Sequence, residues 1–187
     1  MTPVSRPRRT AALGLLVLMA AWSGPGRAAT AHDHGHDRAH VHGLVALEVA
    51  LDGPTLTIGL EAPLDSLLGF ERPPRSAAER QAAEALLRHL RSGQDVFAPD
   101  AAGQCTLTAA TAESEALQPG AKAGEHADLD ATFTYTCAQP QALRRLDVGA
   151  LLDRYRRVGQ IDAQIVTPAG QFKQTLRRPA RVLTWGR

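Results

Sequence analysis

The stretch HDHGHDRAHVHG, residues 32 to 43, holds five of the chain's seven histidines: His32, His34, His36, His40 and His42. Neutral imidazole is a preferred donor for zinc, which takes four ligands in a tetrahedral array. His40 and His42 stand two apart; on an extended strand both rings would share one face about 7 Å apart at the backbone, close enough to meet one ion. His32, His34 and His36 lie in a polar, glycine-containing leader able to fold back and complete the shell. Asp33 and Asp37 would supply oxygens or orient the rings. The plain alternative is a hydrated tail that binds metal only opportunistically.

Other donors are more scattered. His126, flanked by Glu125 and Asp128, is a further candidate, and so is Asp128 itself. Glu61 enters through a register argument. If Asp52 and Gly53 form a two-residue turn, Leu51 faces Pro54 and Leu44 faces Glu61, one diagonal step from His42. His89 falls at the end of a predicted helix, where the dipole or solvent explains it better than a metal does. A hydrolase with Glu61 or Glu71 as base is the enzymatic rival. There is, however, no HisGluXXHis helix and no GlyXSerXGly elbow, so no catalytic residue is assigned.

What precedes the histidines matters for their chemistry. Arg6, Arg8 and Arg9 lead into an apolar run from Ala11 to Trp22, then small residues: the layout of a secretory signal over residues 1 to 28, with cleavage after Ala28 or Ala31. The run is too short to span a bilayer, so no stable membrane insertion is expected after cleavage. Cleavage after Ala31 would leave histidine third from a free amine, an arrangement that favours copper or nickel over zinc. Residues 1 to 28 carry four arginines and no acid, which leaves 17 basic against 19 acidic residues. That balance removes the main support for a nucleic-acid partner. The two cysteines, Cys105 and Cys137, both lie beyond the signal; in an oxidising compartment an even pair is most simply a disulfide.

The elements that must position these residues follow from periodicity. Val41, Val45, Leu47, Val49 and Leu51 alternate with polar neighbours, and Leu56, Ile58 and Leu60 resume after the AspGly turn, so residues 41 to 61 read as an antiparallel hairpin. Ser76 and Glu79 form a capping-box signature for a helix to about Arg91. Strands follow at Cys105 to Ala109 and Leu129 to Cys137, with the cysteines at corresponding ends. Residues 141 to 158 suggest a second helix, and alternation at Ile161 to Ile165 and from Phe172 to Trp185 supplies the last strands. The expectation is an α+β fold: an antiparallel sheet with two helices in loosely repeated strand-strand-helix units. It divides as a leader over 29 to 40 and one domain over 41 to 187, with loose halves at 41 to 98 and 104 to 187.

HVHG before an alternating strand, then LEAPLDSLLGFE at 60 to 71, YTC at 135 to 137, LDV at 146 to 148 and IDAQIVTPAGQ at 161 to 171: this series resembles the ZrgA-like zinc-regulated periplasmic family across nearly the whole mature chain. The resemblance implies an exported protein that binds zinc and assists its uptake, with histidine-rich stretches as ligands and a zinc uptake transporter or its binding protein as partner. Two departures imply fewer ligands here. Members often carry a long acidic, histidine-rich insert between the two cysteine strands, where this chain has only AGEHAD at 123 to 128. A histidine frequently follows GFE in such proteins, where this chain has Arg72. The LLGF segment at Leu67 to Phe70 leaves an envelope interaction module as the non-metal reading.

Overall fold

The computed structural model describes residues 41–122 and 127–186. Two nine-residue strands, β1 (Leu44–Asp52) and β2 (Thr55–Pro63), open the fold. Their inward residues Val45, Leu47, Val49, Leu56, Ile58 and Leu60 are buried, as the alternation requires. A short helix α1 (Leu64–Leu68) follows at once and ends at Gly69, whose φ of 85° is the left-handed conformation that closes helices. Helix α2 (Ala77–Ser92) begins with the predicted capping box: the Glu79 N–H donates to Ser76 and the Glu79 carboxylate accepts from the Ser76 N–H.

The remaining elements are β3 (Ala98–Pro99), β4 (Cys105–Glu113), β5 (Asp128–Cys137), β6 (Arg145–Asp147), α3 (Gly149–Arg154), β7 (Gln160–Thr167), β8 (Gly170–Arg177) and β9 (Val182–Thr184). Six strands form one sheet in the order β4-β5-β2-β1-β7-β8, and β3-β6-β9 form a second, small one. A single core cluster joins Leu47, Ile58, Phe133 and Ile165 of the large sheet to Leu86 and Leu90 of α2, Leu146 and Leu183 of the small sheet and Leu151 of α3. Cys105 stands opposite Cys137 in the β4–β5 ladder and the two are joined by a disulfide. The architecture is α+β, and none of its described helices is long and apolar enough to cross a membrane.

Three local expectations are corrected. The β1–β2 turn is Gly53–Pro54, with Asp52 facing Thr55, so the register slides and Glu61 faces Ala46 instead of Leu44. Proline explains the slide. The expected register needs an N–H from Pro54 to close the turn, and proline has none. With Gly53 at φ 51° and Pro54 inside the turn, only the first turn residue requires positive φ. Second, the sheet is not wholly antiparallel, because β1 and β7 pair in parallel from Leu44↔Gln160 to Ala50↔Val166. Third, residues 141 to 158 are not one helix. Arg145–Asp147 is the middle strand of the small sheet, and the helix spans only Gly149–Arg154. Leu143, Leu146, Leu151 and Leu152 are buried all the same, since their spacing serves a strand followed by a helical turn as well as it serves a helix.

Candidate metal site

His42 does not lie on the strand. It sits in a turn closed by the Leu44 N–H donating to the Val41 carbonyl at 3.1 Å, and Val41 is exposed instead of joining the core face. Gly43 makes this turn possible through its φ of 81°. The expected His40/His42 strand pair is thus corrected at His42. His40 lies outside the described residues, as do His32, His34, His36 and His126.

The turn is pinned from both sides. The Gly43 N–H donates to the hydroxyl of Ser66, a fully buried residue of α1, at 2.9 Å. The Gly43 carbonyl accepts from Gly159 at 2.8 Å and Gln160 at 3.0 Å, at the start of β7. A side chain at position 43 would meet the Arg157 carbonyl at 3.1 Å. The backbone carrying His42 is therefore held between α1 and the loop before β7, while its side chain remains 61% exposed.

Two carboxylates flank the ring. Glu71 Oε2 lies 3.1 Å from Nε2, and Asp65 Oδ2 lies 3.8 Å from Nδ1. Asp65 comes from the first turn of α1 and Glu71 from just past its Gly69 cap. On the far side of Asp65, Arg157 Nη1 stands 3.9 Å from Oδ1. Sequence reasoning did not connect either acid with His42. The signal was present in the register: once Leu44 stands beside the end of β2, the residues after Pro63 must pass the turn that precedes β1.

The other predicted donors fall elsewhere. Glu61 faces Ala46 on one side and Asp130 on the other, on the outward side of the sheet. Asp128 begins β5 opposite Pro63. Among the described residues, the acids within ion-pair reach of His42 are Asp65 and Glu71. No group of three histidine, cysteine, aspartate or glutamate side chains among them is already assembled to hold a metal ion. His89 is structural: Nδ1 is 3.0 Å from the Tyr155 hydroxyl, and burial, then Arg154, lowers its pKa. Arg72 is committed to Glu79 by two hydrogen bonds of 2.9 and 2.8 Å. This bond to Arg72, with help from the Arg75 N–H, pulls the Glu79 carboxyl down to about 2.

A small α+β domain presenting a rigidly mounted, exposed imidazole between two carboxylates defines a class: a surface on which a cation could be held and released. Residues 39–185 match the model of the ZrgA family zinc uptake protein, and the chain belongs to that family. Among curated proteins none matches. Membership gives the chain a zinc-related role, and the disulfide, the fold and the flanked histidine belong to the part that the match covers.

Proposed function

We propose that this chain is an exported, periplasmic zinc-binding protein that captures or buffers zinc and assists its uptake, without a catalytic step. Imidazoles of His32, His34, His36 and His40 would join His42 around the ion. The observation that carries this reading is the His42 corner: a fixed backbone, an exposed ring and an acid facing each nitrogen, two residues after His40 in the sequence. Family membership supports zinc as the cargo. The Cys105–Cys137 bridge suits an oxidising compartment. Release into an uptake system is favoured by imidazole ligands, whose metal binding weakens as they protonate.

Zinc titration of the mature chain by calorimetry tests this. The expected outcome is binding at neutral pH that largely disappears when His32, His34, His36, His40 and His42 are all changed to alanine. Unchanged stoichiometry in that variant rejects the ligand assignment. Growth of a deletion strain under chelation, with each metal restored separately, tests zinc against copper and nickel.

A further inference from the structure

The geometry points to a division of labour around the His42 ring: zinc is taken at Nε2 together with a Glu71 oxygen, Asp65 orients the ring through Nδ1–H, and Arg157 opposes the metal by competing for the Asp65 carboxylate. This rests on the zinc reading above and assigns the atoms and the regulation of that site. Two donors in a tetrahedral zinc shell with bonds of about 2.0–2.2 Å stand roughly 3.3–3.6 Å apart. His42 Nε2 and Glu71 Oε2 stand 3.1 Å apart, so a small outward movement of either side chain seats the ion between them. The domain thus supplies two donors of the shell.

The other nitrogen faces a carboxylate at 3.8 Å, beyond hydrogen-bond distance. Metal at Nε2 makes Nδ1–H a stronger donor, and a carboxylate on that proton fixes the ring's tautomer and orientation. Closing the gap requires the Asp65 carboxylate to turn toward the ring. Arg157 Nη1 faces the opposite oxygen at 3.9 Å, a charge contact beyond hydrogen-bond distance that favours the carboxylate's outward position. Arg157 does not sit there by chance: its guanidinium packs on Gly69, where a Cβ would come within 2.9 Å of Nε. Its loop is fastened in turn by Arg178, which donates to the carbonyls of Leu152, Tyr155 and Val158. A cation beside Asp65 therefore competes with the ring for that carboxylate, which lowers zinc affinity and leaves the ion easier to pass on.

The test is zinc affinity of the mature full-length chain, measured against a competing chelator at low and high salt. Glu71→Gln removes a ligand, and Asp65→Asn is expected to weaken binding by ~10–100-fold; the loss in E71Q is at least as large. Arg157→Gln tightens binding by ~3–10-fold at low salt, and the gain shrinks at high salt. The gain vanishes in the D65N background. In the unmutated chain, NMR of the zinc-bound His42 ring shows Nε2 coordinated and a downfield, exchange-protected Nδ1 proton that D65N loses, a signature that a merely structural role for Asp65 would not produce. Wild-type affinity in E71Q and D65N, or coordination through Nδ1, overturns the inference while leaving zinc binding by the histidine-rich segment intact. A wild-type chain that binds no zinc removes the functional reading and this inference together.

Discussion

The two faces of the six-stranded sheet are made from the same strands and do opposite things. The inner face carries Leu47, Leu56, Ile58, Leu129, Phe133 and Ile165, all buried under α2, α3 and the small sheet. The outer face carries Glu48, Ala50, Thr106, Thr108, Thr132, Thr136 and Gln164, all exposed. One row across it places Glu113 opposite Asp130 and Asp130 opposite Glu61, so like charges stand side by side on neighbouring strands. Stability is concentrated on one side, then, and the other carries polar and charged side chains. The His42 corner belongs to neither face. It is built at the sheet's end, from residues that α1 and the loop before β7 bring together.

Substitutions can break or sharpen this contrast. Phe133→Ala empties the centre of the inner face and takes the ring from its edge-on contact with Phe97. It should lower unfolding free energy by about 3–5 kcal/mol in denaturant titration. A loss under 1 kcal/mol would mean that the inner face is not the seat of stability. Replacing Cys105 and Cys137 together by serine should cost about 3–4 kcal/mol in the chain-entropy account, read as a drop in Tm that added reductant reproduces in the parent. Glu61→Gln on the outer face is the smallest change. It lies outside the core and the His42 corner and should change stability by about 0.5 kcal/mol or less, with zinc affinity unchanged. A fall in affinity would return Glu61 to the metal site and erase the distinction between face and corner.

Much of this was legible in the residues. Period-two alternation placed the inward side of β1, β2, β5 and β7, because a strand buried on one face has no other way to hide its apolar residues. Ser76 and Glu79 marked the start of α2 through the hydrogen bonds that they exchange. Cys105 and Cys137 were found at matching strand ends. The misses share one cause, competition between a local signal and a partner far along the chain. Asp52–Gly53 is a strong turn signal, yet the missing N–H of Pro54 decided the register. Leu143 to Tyr155 has helical spacing, yet pairing with β3 and β9 drew Arg145–Asp147 into a strand. At Gly149 a Cβ would lie 2.6 Å from Arg181 atoms and 2.8 Å from Asp147 Oδ1, a crowding that only the tertiary structure reveals. Of the histidines chosen from sequence, His42 is the one within the described residues. Its neighbours Asp65 and Glu71 were hidden behind the register.

The parallel pairing of β1 with β7 has a consequence for how the molecule is made. Leu44 pairs with Gln160, and until that late strand arrives the opening hairpin has a bare edge in what becomes the middle of the sheet. Such distant pairing slows closure, because chain entropy is lost before the contact rewards it. A nascent polypeptide therefore stays loose until nearly all of it has been synthesised. The turn bearing His42 gains its second anchor, from Gly159 and Gln160, only when that last stretch comes home.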